Sequence, residues 1–232
     1  MAISIQKDLL ARASIHEQNF IVLIGGGDLA EYALSIIKSE NKYELLAICD
    51  DKYEHLFSDN GLFFGPIDNI VENLKILDNV FFCITIGAPE HRRKIVDRLQ
   101  LLESKYTNII HPTAVVDTTA TLGNGIILGP NTIIGAKACI HSYTCVISAI
   151  VEHHTIVDYY STIAPGATIC GGVSIGALCY IGANATIIQY KNIGANTIIG
   201  AHSLVLKDIP PCVTCYGVPA KIKKVNVSKI ML

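Results

Sequence analysis

The chain has 232 residues, 18 Lys and Arg against 20 Asp and Glu, a formal net charge of −2, and no basic block longer than the KIKK segment at 221–224. That balance argues against nucleic acid and anionic membrane surfaces as partners, both of which select for a basic face. Mean hydropathy is high at +0.42, but it comes from Ile and Val scattered through Gly- and Thr-rich sequence, with no apolar run of about 18 residues that would read as a membrane span.

The amino terminus, MAISIQKDLLARASIHEQNF, contains acidic residues and lacks a cationic head followed by an apolar core. Residues 1–18 are therefore read as a leader without signal-peptide character, and a cytoplasmic location is expected. Eight cysteines are present. Cys49, Cys83, Cys139, Cys145, Cys170 and Cys179 sit singly in apolar patterns and read as small buried hydrophobes. Cys212 and Cys215 form one CxxC without a second pair or a βαβ context, so the reading is structural, and no metal site is expected.

From residue 21 the sequence IVLIGGGDLAEYALSIIKS reads strand, glycine turn, helix. Ile21 to Ile24 form a continuous apolar strand suited to the interior of a parallel sheet. Gly25, Gly26 and Gly27 allow a tight turn with close approach to a ligand, and Asp28 is placed to cap the helix. Leu29, Ala33, Ile36 and Ile37 recur at helical spacing. A second strand, YELLAICDD, ends at Asp50 and Asp51, where an acid after a glycine turn is suited to a ribose. A third, NVFFCITIG, leads into a helix with Pro89 in its first turn. The pattern stops near residue 108, which supplies one mononucleotide-sized half and leaves no place for hydride transfer through a full dinucleotide fold.

Beyond residue 108 the period changes. Val116, Leu122, Leu128, Ile134, Ile140 and Val146 are spaced by six, and the series resumes from Val151 through Val157, Ile163, Ile169, Ile175, Ile181, Ile187, Ile193 and Ile199 to Val205. A period of six fits neither helix nor strand alternation and reads as a repeat: three hexads per turn of a triangular coil of short parallel strands with the anchors stacked inward. Glycines follow many anchors, at 123, 129, 135, 176, 182, 194 and 200, and read as turn positions. The interval from Val146 to Val151 is five, immediately before Glu152, His153 and His154. Pro210, Pro211 and Pro219 exclude a continuing ladder. The expected domains are thus 19–108, a coil over 109–210 and a cap over 211–232. Flat, Ile-, Val- and Ala-rich outer faces invite a threefold ring.

His141 and His202 read as polar rungs. His153 stands out because imidazole suits general-base work near neutrality and Glu152 lies beside it. His154 has no assigned role. No Ser-His-Asp spacing or GxSxG elbow is present.

The hexads, with VEHHTIV, IAPGATICGGVSIG, YIGANATIIQ, NIGANTIIGAHSLVLKDIP and YGVPAKIKK, resemble the sialic-acid-synthesis-type and bacillosamine-pathway sugar acyltransferases. That resemblance implies a small Rossmann-like domain joined to a left-handed parallel β-helix. It also implies homotrimers with active sites between subunits, in which acetyl-CoA acylates the amino group of a nucleotide-linked amino sugar in bacterial surface-glycan biosynthesis. It places the general base on His153 and the assisting acid on Glu152. The nucleotide falls against Gly27, Asp28, Asp51 and Lys52, and the pantetheine arm of acetyl-CoA against Gly171, Ala183 and Ala201. The sequence departs from the family at two points. Thr162 stands nine residues beyond the base, where better-known members carry a second histidine, and its hydroxyl is assigned to the thioester carbonyl. Asp28 and Leu29 replace a Gly-His pair in the glycine loop. O-acetylation of sialic acid or a related nonulosonic acid is the alternative implied by these departures, and a noncatalytic β-helix scaffold is the alternative from a different class.

Overall fold

The computed structural model describes residues 2–15 and 18–226. The chain divides at Ile109/Ile110 into two compact units.

In the first unit α1 (Ala2–Ala13), β1 (Phe20–Ile24), α2 (Asp28–Glu40), β2 (Glu44–Cys49), β3 (Phe57–Asp59), β4 (Leu62–Gly65), α3 (Ile67–Leu74), β5 (Val80–Ile84) and α4 (Pro89–Leu99) follow in chain order. The sheet order is β3-β4-β2-β1-β5. β1 runs parallel to β2 and β5, and β2 parallel to β4, while β3 closes the edge as the antiparallel arm of a hairpin. Every residue of the central β1 is buried, as a parallel strand covered on both faces requires. Ala30, Ala33, Ile36 and Ile37 of α2 are buried, one residue away from the expected stripe at its start. Asp28 is not the cap: Gly27 holds the N-cap position with extended backbone and no side-chain bond, and Asp28 is the first helical residue. At α4, Pro89 occupies the first turn as expected. Arg92 is buried there, donating to the carbonyls of Ile86 (3.0 Å) and Gly87 (2.9 Å) and so fixing the loop after β5.

The segment read as a leader is α1, and it is part of this unit. Leu9 and Ala13 are fully buried, Gln6 donates to Asn73 at 2.8 Å, and Arg12 pairs with Glu44. Apolar side chains at helical spacing outweigh the polar composition that suggested a leader. His16 and Glu17 lie outside the described residues.

The second unit is a parallel β-helix. Two-residue strands stack in register on three faces: the first from Val115–Val116 to Leu204–Val205, the second from Thr121–Leu122 to Asn192–Ile193, and the third through Ile127–Leu128, Cys145–Val146, Thr162–Ile163, Tyr180–Ile181 and Ile198–Ile199. The second residue of each pair is the hexad anchor. From Leu128 to Val205 every anchor is buried, and Val116 and Leu122 pack half-buried at the open first coil. Each buried Ile or Val stabilises the fold by about 1.5–3 kcal/mol.

The glycines after the anchors are required by crowding, not by turn conformation. A β-carbon on Gly135, Gly176, Gly182 or Gly194 would stand 2.3–2.7 Å from a backbone nitrogen of the next coil. The left-handed backbone falls elsewhere in the corners, at Asn131, Lys137, Tyr143, Ser148, His154, Tyr160, Asn184, Tyr190, Asn196 and His202 among others. In full corners that residue is the third after the anchor. In the shortened corner it is Ser148, the second after Val146, so the missing residue precedes the turn.

Past Val205 the ladder gains one more rung than the prolines suggested. Val213–Tyr216 pairs parallel to Ile198–Ile199, and Lys221–Val225 folds back antiparallel on it. Pro210, Pro211 and Pro219 lie outside both strands, so no ladder bond is lost. Cys212 and Cys215 are buried free thiols. The end of the expected cap, residues 227–232, lies outside the described residues.

Candidate active site

In the first unit the glycine turn sits at the carboxyl ends of the parallel strands, where open α/β sheets place ligands. Gly25 has φ +108°, and a β-carbon there would meet Ile86 Cγ1 at 2.6 Å, so only glycine fits. Asp50 is the acid that organises this loop: its carboxylate accepts the backbone N–H of Gly26 (2.7 Å) and of Lys52 (3.0 Å). Lys52 Nζ donates to the Gly26 carbonyl at 2.6 Å and stands 5.2 Å from the Tyr53 ring centre. A cleft of about 390 Å³ lies between these groups, lined by Gly26, Gly27, Glu31, Lys52 and Tyr53 among others. A neighbouring cleft is lined by Gly27, Asp28, Asp50 and Thr85.

Of the residues expected to contact a nucleotide, Gly27, Asp28 and Lys52 line these two clefts. Asp51 turns to Arg98, whose Nη1 and Nη2 reach it at 2.6 and 3.1 Å while Nε and Nη2 reach Asp68 at 3.0 and 2.6 Å. The two carboxylates hold the Arg98 guanidinium above its ordinary pKa, chiefly through these hydrogen bonds. Asp51 does line a third cleft with Gly25, Asp50 and Lys94, but its carboxylate is already engaged.

In the second unit Glu152, His153, His154 and Thr155 form the corner between the first and second faces, joining Ile150–Val151 to Ile156–Val157. This corner has full length. The shortened one, between Val146 and Val151, joins the third face to the first, so the slip does not itself aim His153.

The coils on either side fix the His153 segment. Glu152 N–H donates to Ile169, His154 N–H to Ala136, and Gly172 N–H to the His153 carbonyl, each at 2.9 Å. A β-carbon on Gly135 would stand 2.7 Å from His153 N, and one on Gly171 would stand 2.6 Å from His153 Nε2. Two missing side chains, one on each neighbouring coil, therefore make room for the backbone and the ring of His153. Gly171, expected against pantetheine, is in this chain the floor under the imidazole.

His153 Nδ1 lies 3.0 Å from His154 Nδ1, with the rings nearly perpendicular at 86°. Among the described residues no hydrogen bond joins the expected acidic helper, Glu152, to His153, whose side-chain partner is His154. Glu152 acts on Cys170 of the following coil, whose thiol is pushed up by burial first and by the Glu152 charge second. Adjacent side chains on extended backbone diverge; His154, at φ +57°, bends the chain so that its ring returns to His153.

Thr162 is buried on the third face, in register with Cys145 and Tyr180. That face is opposite the corner carrying His153, so one chain does not bring Thr162 to the imidazole. Ala183 and Ala201 stack in a single column of the corner between the third and first faces, with His202 N–H donating to the Ala183 carbonyl at 2.8 Å. This is a different corner from that of Gly171. Sequence reasoning passed over His154 as the partner of His153 and Asp50 as the organiser of the glycine loop. The signal for the second was Asp50 itself, at the strand end nearest the glycines. Among the described residues no group of three or more His, Cys, Asp or Glu side chains is placed to hold a metal ion, and no helix is long and apolar enough to cross a membrane.

Residues 20–99 match the family model described as PglD N-terminal domain. A 96-residue stretch, 41% of this chain, is 31% identical to UDP-N-acetylbacillosamine N-acetyltransferase of Bacillus subtilis (strain 168) and spans 44% of that protein, under half its length. The crystal structure of PerB from Caulobacter crescentus in complex with CoA and GDP-perosamine superposes with a TM-score of 0.80 at 28% identity, covering 89% of this chain and 98% of PerB. The acetyltransferase domain of PglB from Neisseria gonorrhoeae FA1090 in complex with acetyl coenzyme A gives 0.79 at 26% identity, covering 89% and 100%.

Proposed function

We propose that this chain, built on the two-domain plan of the sugar acetyltransferases it resembles, is an acetyl-CoA-dependent N-acetyltransferase acting on the amino group of a nucleotide-linked amino sugar in bacterial surface-glycan biosynthesis. The observation that carries the reading is the seating of His153. Its imidazole stands at a β-helix corner on a glycine floor, in a chain of which 89% follows structures that hold CoA together with GDP-perosamine, or acetyl-CoA.

In this reading the amine attacks the thioester carbonyl. The N–C bond forms, His153 Nε2 takes the proton from nitrogen, the C–S bond breaks, and the proton passes to the departing thiolate. General-base catalysis of this kind contributes about 10²–10⁴-fold, and holding amine and thioester together contributes more. The nucleotide lies in the clefts beside the glycine turn. There the amino-terminal end of α2, with Gly27 and Asp28, offers unpaired N–H groups to a diphosphate, and Lys52 adds a positive charge.

A homotrimer completes the site. The groove between two copies would bring the Ala183–Ala201 column of one and the His153 corner of the next along a common donor, and would supply Thr162 from a neighbouring copy to the carbonyl oxygen. The protein works in the cytoplasm, where acetyl-CoA and nucleotide sugars are made.

The test is to supply labelled acetyl-CoA with a panel of nucleotide-linked amino sugars and of sialic-type acids, then to treat the product with base. A base-stable amide on an amino sugar is expected. A base-labile ester on a hydroxyl, or no acceptor-dependent release of thiol, overturns the assignment.

A further inference from the structure

We infer that His154 is the positioning residue of His153, holding it in the tautomer whose Nε2 carries no hydrogen; the inference deepens the acetyltransferase reading and rests on it. The two Nδ1 atoms are 3.0 Å apart, and a bond between two imidazole nitrogens requires one hydrogen between them. One ring donates and the other accepts. A neutral ring has a single N–H, so the donor of this bond has a bare Nε2 and the acceptor has Nε2–H. A base acting through His153 Nε2 therefore needs His153 as the donor and His154 as the acceptor.

The backbone fixes the pair in place. His154 occupies the left-handed position of its corner at φ +57°, with its N–H given to Ala136. His153 is confined by Gly135 on one side, by Gly171 under its ring, and by the bond from Gly172. The titratable groups on the two corners packed against the pair are Lys137 of the preceding coil and Cys170 of the following one. Glu152, in the same corner, acts on Cys170. The polar atom brought to His153 Nδ1 is the ring nitrogen of His154. When His153 takes a proton at Nε2, its Nδ1–H still points at the His154 lone pair, and the charge is stabilised without any movement of the ring.

Asn131, Asn184 and Asn196 fill the same left-handed corner position in other coils, so His154→Asn fits the backbone. Its Oδ1 is bonded where Nδ1 was and accepts a hydrogen bond, but it does not titrate. His154→Ala removes the acceptor.

The experiment uses full-length protein labelled with ¹⁵N-histidine, with H153A assigning the resonance. In the unsubstituted protein His153 should show a protonated Nδ1 and an unprotonated Nε2. In H154A it should revert to the tautomer mixture of a free imidazole, and in H154N it should return to Nδ1–H. With acetyl-CoA and the amino sugar identified above, H154A should lower kcat by about tenfold or more while leaving KM for acetyl-CoA within about twofold, and H154N should restore most of the loss. An H154A protein with unchanged His153 tautomer and unchanged kcat overturns the inference, as does an H154N protein as slow as H154A. Failure of the acetyltransferase reading looks different: the tautomer responds to both substitutions, but no acceptor is acetylated by the unsubstituted protein.

Discussion

The imidazole of His153 occupies the space that a side chain on Gly171 would take, with Nε2 2.6 Å from the position of the missing β-carbon. The two residues are eighteen apart, one full coil, and are brought together only by the stacking of corners. Gly171 is thereby defined by what stands on it: its φ is not in the left-handed region, unlike that of Gly172 at +68°.

Gly171→Ala tests that relationship. The added methyl group meets the ring of a side chain, which is free to swing away, so the coil should keep its fold and its melting temperature. Turnover should fall by about 10²-fold or more as the imidazole leaves its seat. Circular dichroism and steady-state kinetics on the same preparation separate the two effects, and full activity in this variant would show that the ring need not lie on the glycine.

His153→Ala should lower kcat/KM by about 10²–10⁴-fold while leaving assembly and coenzyme binding in place, since the imidazole contributes to neither the inner ladder nor a backbone bond. Sedimentation and equilibrium binding of CoA check the second half of that statement. Unchanged turnover would remove His153 from the chemistry.

Cys170 reports on the charge of Glu152. Burial and the neighbouring carboxylate both hold the thiol in its protonated form, so alkylation by iodoacetamide near neutral pH should be slow. Glu152→Gln removes the carboxylate charge, lowers the thiol pKa and raises the thiolate fraction. Peptide mapping by mass spectrometry should show faster labelling of Cys170; an unchanged rate would place the carboxylate away from the sulfur.

Lys52→Ala should raise KM for the nucleotide sugar several-fold with little change in kcat, the signature of binding lost equally from ground and transition states. A parallel fall in kcat with unchanged KM would contradict the placing of the nucleotide beside Lys52.

Ile163 is an inner anchor with no exposed surface, and Ile163→Ala should cost about 2–5 kcal/mol in urea unfolding, by lost transfer energy and by the cavity left in a close-packed ladder. Ile169→Val, which removes one methylene from the same ladder, should cost about 0.5–1.5 kcal/mol. Equal effects would mean that the ladder relaxes around the gap.

What the sequence determined alone is what repeats or has local chemistry. The six-residue period fixed the coil and named its anchors from Val116 to Val205, because each inner position there must be aliphatic to stack on the one before it; Ile110 and Cys215, which also join the inner stack, lie outside that series. The glycine turn, the buried β1 and Pro89 marked the first unit for the same kind of local reason. The edge hairpin of β3 and β4 was also there to be read in Asn60-Gly61, both residues with positive φ, the dipeptide that such a turn demands. The tertiary structure decided everything that depends on residues one coil apart. It gave the glycines after the anchors their reason in the next coil's backbone, set Gly171 under His153, brought the charge of Glu152 to bear on Cys170, and placed Thr162 on the opposite face. His154 became the partner of His153 through a single left-handed residue. A hexad pattern records which side chains point inward, but the meeting of outward side chains is settled by the corner conformation and by what the stacked corners leave empty.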